Sequence, residues 1–275
     1  MGALNRRIAV AEAMAPRYAA NDGVAAVLLA GSVARALADD HSDLEVDVYW
    51  HHPPDEAERR AVVDDAGWEW VYSEMDDNEW ADGVRLDGVK ADVSQFTTAT
   101  IDGYLEALRS GDTEPELQVR ATALLDGRAL AGPSIIGAWR ARLAPYPEAL
   151  GLAMLDRALP PRPAERLEML VARDDPVLLT RDVVEGVHDL LDALFAVNGR
   201  YVPHPFHKWL SFECGQLTLA PPDLEGRVRR VLAAPRDGVA DLVRLTEETF
   251  DLVEEHVPAY DVAAARAGFG SSLRG

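Results

Sequence analysis

The chain is 275 residues long, 48% hydrophobic and 27% charged, an ordinary globular composition with enough apolar residues for a sizeable core in one or two domains. Its 47 acidic residues against 27 Lys and Arg give a formal charge of −20, a mean field that attracts cations and repels phosphate backbones and anionic membranes, so nucleic acid is disfavoured as a partner. The one cysteine, Cys214, excludes an internal disulfide and a cysteine-clustered zinc site, and fits a reducing compartment, with the cytoplasm as the expected location.

Residues 4–20 mix Asn5, Arg6, Arg7, Glu12 and Arg17 with apolar residues at helical spacing and read as an amphipathic helix, not as the unbroken apolar core of a signal peptide. Asn21, Asp22 and Gly23 close it, and Val24 to Leu29 reads as a buried strand. No apolar run of this kind is long enough to span a bilayer. Gly31-Ser32 then opens a short helix over 33–38, with Ser32 as its expected cap, and 39–42 is polar and turn-like. From Asp43 to Trp50 the residues alternate, with Leu44, Val46 and Val48 on one face and Asp43, Glu45 and Asp47 on the other.

Pro53-Pro54 begins a helix over 55–65, and strand character follows at 68–72 and 84–97 with a turn between. In the second of these, Val89, Ala91, Val93 and Gln95 share one face and Lys90, Asp92 and Ser94 the other. Beyond Thr97 helical patterns dominate, at 101–108, 116–125, 135–143, 164–173, 181–197 and 237–256. A boundary is expected near 110–115, and 262–275 reads as a fraying terminus. The pattern predicts an α+β chain, with a small mixed sheet flanked by helices over 1–112 and an all-α domain over 113–275.

Asp43 and Glu45, at i and i+2 of one strand, point the same way roughly 6.6 Å apart, a spacing from which both reach divalent cations roughly 3.5–4 Å apart. Hard oxygen ligands select magnesium, with manganese as the other possibility. Asp92, on the polar face of a neighbouring strand, is the candidate third carboxylate, as ligand, general base or both. The Gly31-Ser32 turn offers a cradle for a polyphosphate, because glycine permits close backbone approach and the serine hydroxyl and following amides donate hydrogen bonds.

An apolar strand, Gly31-Ser32, Ala34-Arg35, then Ser42-Asp43-Leu44-Glu45-Val46 resembles the signature of the nucleotidyltransferase superfamily that includes DNA polymerase beta and the aminoglycoside adenylyltransferases. The resemblance implies that Asp43, Glu45 and Asp92 hold two magnesium ions and that Gly31, Ser32 and Arg35 meet the triphosphate. Two positions depart from it: Ala36 stands where many members carry glycine, and Glu45 where aspartate is commoner. The longer glutamate leaves the pair Glu45 with Asp47 as a competing assignment. Farther on, Phe195-Ala196-Val197-Asn198, Tyr201, Pro203 and Lys208-Trp209-Leu210 resemble a helical region behind small bacterial nucleotidyltransferase domains. That likeness implies a phosphate-binding role for Lys208 and Arg200, while Asn198 and Tyr201 fit a structural role equally well.

Each of these features has a plainer reading. An acidic alternating strand by itself is a solvated sheet face, and only its company with Gly31-Ser32 and Asp92 makes it a metal site. Lys208 reads equally as a surface lysine lying along Trp209. His204, His207 and the pair His51-His52 read as loop or surface residues, Trp68, Trp70 and Trp80 as core or cleft wall, and Asp76-Asp77 as solvated loop.

Taken together, the expected activity is transfer of a nucleoside monophosphate, with AMP from ATP first in line, to a hydroxyl of a small cationic acceptor of the aminoglycoside kind. Two alternatives stay open: a protein or RNA hydroxyl as acceptor, as in a toxin or regulator, and a nucleotide-binding module without catalysis. The acceptor, the nucleobase and the oligomeric state have no local signature in the sequence.

Overall fold

The computed structural model describes residues 2–76, 79–159 and 162–270, with Asp77 and 271–275 outside them. The chain is α+β, with thirteen helices and one six-stranded mixed sheet among the described residues. Its opening elements are α1 (Ala3–Ala19), β1 (Val24–Leu29), α2 (Gly31–Ala34), β2 (Leu44–Trp50) and α3 (Glu56–Ala66). Then come β3 (Glu69–Asp76), β4 (Glu79–Leu86), β5 (Val89–Thr97), α4 (Thr98–Arg109), α5 (Pro115–Asp126), β6 (Arg128–Ala131) and α6 (Pro133–Leu143). The remainder is helical: α7 (Glu148–Ala158), α8 (Ala164–Arg173), α9 (Pro176–Val197), α10 (Leu210–Gln216), α11 (Leu224–Ala233), α12 (Pro235–His256) and α13 (Val262–Gly270). No helix among the described residues is long and apolar enough to cross a membrane.

The strands lie in the order β3-β4-β5-β2-β1-β6, and every neighbouring pair is antiparallel except β2 with β5. That parallel pair requires a crossover, which α3 and the β3–β4 hairpin supply. α3 starts on a capping box in which the Asp55 side chain accepts from the Glu58 amide and Glu58 reciprocates, and it stops at Gly67 in the left-handed region. On one face of the sheet Leu44, Val46, Val48 and Trp50 join Ala91 and Val93 under Val10, Ala11, Met14 and Tyr18 of α1 and Val62 and Val63 of α3. This face is the core of the sheet.

Two compact units divide the chain, Met1–Ala107 with Arg120–Pro145, and Leu108–Val119 with Tyr146–Gly275. Residues 120–145, carrying β6 and α6, therefore lie with the sheet, beyond the change of texture at 110–115. In the second unit the two 22-residue helices α9 and α12 pack on each other, with Leu190, Leu191, Leu194, Leu245 and Phe250 buried.

Several local expectations are corrected. Ser32 does not cap a helix over 33–38: α2 is a single turn whose cap position is Ala30, with Ser32 inside it. It stops because Ala36 takes a left-handed backbone with φ 58°. The expected strand over 84–97 is the end of one strand and the whole of another, folded at Asp87-Gly88, where both residues have positive φ and the turn matches the right-handed strand twist. Residues 262–270 are helix, not fraying chain.

Candidate active site

The site is built on the sheet face opposite the α1 core. The amide of Ala30 donates to the carbonyl of Glu45 at 3.0 Å, which lays the Gly31-Ser32 turn against the start of β2. Gly31 has φ +61°, and a methyl group there would run into the Glu45 carboxylate, so glycine is demanded twice over. The Glu45 carboxylate is exposed, and no side-chain donor or cation engages it among the described residues. Ser32 is 9% exposed and its hydroxyl likewise has no protein partner among the described residues. With only four residues, α2 has a negligible macrodipole, leaving backbone amides and this hydroxyl as the groups a phosphate would meet.

Parallel pairing sets Glu45 opposite Asp92 and Asp47 opposite Ser94. Directly paired residues on adjacent strands share a face at a spacing of about 5 Å, so Glu45 and Asp92 are neighbours. Asp43, exposed just ahead of β2, is near enough to Asp92 and Lys90 to act on both electrostatically. The three predicted carboxylates thus gather at one end of one sheet face. Asp92 is the most constrained of them, because its Oδ1 accepts from the Tyr72 hydroxyl at 2.7 Å and lies 2.9 Å from Lys90 Nζ. The Lys90 ammonium also sits 5.3 Å from the centre of the Tyr72 ring. Gly83 makes this possible, since a Cβ there would collide with the ring atoms of Tyr72.

Burial pushes the Asp92 pKa up, but the hydrogen bonds from Lys90 and Tyr72 and the Lys90 charge outweigh it, and Asp92 ionises below the usual aspartate range. Its hydrogen bond and charge raise the pKa of Lys90, while burial and then the bond to Asp92 raise that of Tyr72. Three oxygen-donor carboxylates fit a hard divalent cation such as magnesium or manganese. They are not clasped around a cation position: among the described residues no group of three or more His, Cys, Asp or Glu is poised to hold a metal.

Deeper on the same face the chemistry changes. Asp47 is 2% exposed; it accepts from the Tyr49 hydroxyl at 3.1 Å and lies 3.6 Å from Arg120 Nη1, while Arg120 Nη2 reaches Glu79 at 2.9 Å. The Arg120 guanidinium also lies 4.6 Å from the centre of the Phe96 ring. Asp47, the competing partner for Glu45, is therefore held by an interior arginine. On the opposite face Trp50 Nε1 donates to Gln95 Oε1 at 2.9 Å, Gln95 donates on to Asp82, and Asp82 is paired with the buried Arg59. Desolvation raises the Asp82 pKa against the pull of Arg59.

Of the remaining candidates, Arg35 pairs with Asp126 at 2.8 Å. Lys208 and Arg200 are exposed residues of the helical unit, Lys208 Nζ lying 6.0 Å from the Trp209 ring centre and Arg200 donating to Gln216 at 3.1 Å. Asn198 is structural: its amide donates to the carbonyls of Leu194 and Leu219, and its oxygen accepts from Thr218 and Leu219. Tyr201 is buried edge-on to Tyr146. His207 corrects the surface reading, since it is buried between Glu213 at 2.8 Å and Asp192 at 3.3 Å. Tyr72, Lys90 and Gly83 were not singled out from sequence; the alternation placing Lys90 beside Asp92 was the available signal.

A family model described as a domain of unknown function (DUF4037) matches residues 118–210. No curated protein matches the chain significantly. Among solved structures, the chain is similar to a nucleotidyltransferase-like protein from Exiguobacterium sibiricum 255-15, at 13% identity over 87% of this chain and 77% of that one, with a TM-score of 0.34. A likeness at that score carries no argument about chemistry.

Proposed function

We propose that the protein is a metal-dependent nucleotidyltransferase that moves a nucleoside monophosphate, AMP from ATP in the first instance, to a hydroxyl of a small cationic acceptor, releasing pyrophosphate. The observation that carries this reading is the parallel β2–β5 register, which pairs Glu45 with Asp92 beside Asp43 and next to the Gly31-Ser32 turn.

In this reading Asp43, Glu45 and Asp92 hold magnesium, which when bound offsets the triphosphate charge and stabilises the departing pyrophosphate. Ser32 and the turn amides donate to phosphate oxygens, and the absence of a Cβ at Gly31 lets the phosphate approach the backbone. Asp92, ionised by its hydrogen bonds, is the group placed to take the proton of the incoming hydroxyl. The exposed carboxylates and the net charge of −20 favour an acceptor bearing ammonium groups.

The test is pyrophosphate release from each nucleoside triphosphate with magnesium and a panel of aminoglycoside-like and other polycationic alcohols. Activity with at least one combination is expected, and Asp43→Asn should reduce it at least a hundredfold. Turnover retained in D43N sinks the site assignment, and ATP binding without pyrophosphate release for any acceptor makes the chain a nucleotide-binding module. A labelled protein band from lysate with tagged ATP would move the acceptor from small molecule to macromolecule.

A further inference from the structure

Lys90 stands where an incoming cation must compete with it. Its ammonium is 2.9 Å from Asp92 Oδ1, and it also feels the charge of Asp43. Tyr72 donates to that same oxygen at 2.7 Å while its ring faces the ammonium, so the lysine is positioned from two sides. Lys90 is nevertheless 39% exposed, on a stem with four rotatable carbons, and is free to leave toward solvent. Its other charged neighbour, Arg85 across the β4–β5 ladder, is occupied with Glu69 at 3.0 Å. A half-exposed ammonium with two carboxylates before it and one aromatic face beside it is held without being locked.

We propose that Lys90 is a resident counter-ion of the carboxylate site, occupying Asp92 until a divalent cation displaces it, with Tyr72 as the residue that positions both. The inference rests on the carboxylate site of the proposed function. It makes the lysine an antagonist of metal binding: two positive groups cannot share Asp92 at contact distance without repulsion. It also accounts for three carboxylates lying together on one face without being drawn around a common centre. Once displaced, the ammonium remains at the site mouth, on a flexible stem, as a partner for the triphosphate that arrives with the cation.

The experiment is Mn²⁺ binding to the full chain, followed by loss of the free-ion electron paramagnetic resonance signal, for wild type and for Lys90→Gln, Lys90→Met, Lys90→Arg and Asp43→Asn. Removing the competing charge is expected to tighten Mn²⁺ binding on the order of tenfold in K90Q and K90M, leave K90R near wild type, and be opposed by a large loss in D43N. A purely structural role for Lys90 predicts weaker or unchanged binding in all three lysine variants. Wild-type affinity in K90Q and K90M, with D43N weakened, overturns the counter-ion role and leaves the carboxylate site standing. No Mn²⁺ binding by any protein, wild type included, removes the carboxylate site and the inference with it.

Discussion

The buried ionic cluster at His207 makes a strong prediction about stability. His207 is 4% exposed at its side chain, Glu213 0% and Asp192 17%, and the imidazole bridges the two acids at 2.8 and 3.3 Å. Burial alone would lower the histidine pKa, but the nearby charge of Asp192 and the hydrogen bond and charge of Glu213 outweigh it and raise it from 6.5 to about 9. The other titratable ring facing it, His188, lies 5.5 Å away, and burial and the His207 charge lower its pKa. A tenfold change in proton affinity is worth about 1.4 kcal/mol, so holding the proton on His207 contributes about 3 kcal/mol. Because the folded pKa lies above the unfolded one, this stability is fully present below pH 6.5 and is lost as the pH climbs through about 9.

Urea unfolding of wild type and His207→Gln across pH 6 to 9.5, followed by far-UV circular dichroism, measures it. Wild type should exceed the variant by roughly 3 kcal/mol more at the acid end than at the alkaline end. Glu213→Gln removes one acid from the bridge and should move the alkaline loss of stability to lower pH. A difference between wild type and H207Q that stays constant across the range, or that grows with pH, would refute a protonated His207, since an imidazole held neutral by burial contributes stability that rises as the pH passes 6.5.

Two glycine-related substitutions test the turn before the site. Ala36→Gly should stabilise the protein by up to about 1 kcal/mol, because relief of a left-handed alanine, about 1–2 kcal/mol, exceeds the added freedom of the unfolded chain; an unchanged urea midpoint would mean that φ 58° is not strained. Gly31→Ala should lose at least about 1–2 kcal/mol from its backbone alone and more from the collision with Glu45. It should also weaken Mn²⁺ binding through Glu45, and a variant with wild-type stability and affinity would show that the turn and the carboxylate are not in contact.

Much of the sheet was legible because its signals are local. The alternation at 43–50 and 89–95 shows which residues share a face, and the expected helices are present except the one over 33–38, which is a single turn at Gly31–Ala34. The Asp87-Gly88 hairpin was missed although an Asp-Gly pair between strand residues is a strong turn signal, because strand-like residues continue on both sides of it from 84 to 97. β6, only four residues long, has no periodicity to read and forms because β1 offers it an edge. α7 and α11 are short helices whose burial is set by α9 and α12.

In the candidate site the shared face of the carboxylates was legible in the sequence and their partners were not. Strand alternation assigns Asp43, Glu45 and Asp47 equally to one face, yet cannot say which end is covered. Arg120, distant in sequence, closes over Asp47 together with Tyr49, and so commits that carboxylate to the interior. Lys90 reaches Asp92 as its neighbour two residues back on the same face of β5, and Tyr72 reaches it across β4, where Gly83 leaves room for a ring. A one-residue slip of β5 against β2 would send Asp92 to the α1 core face and Ala91 or Val93 to the wet one. The buried pattern of Val89, Ala91, Val93 and Gln95 forbids that slip, so the hydrophobic core on one side of the sheet holds the carboxylates together on the other.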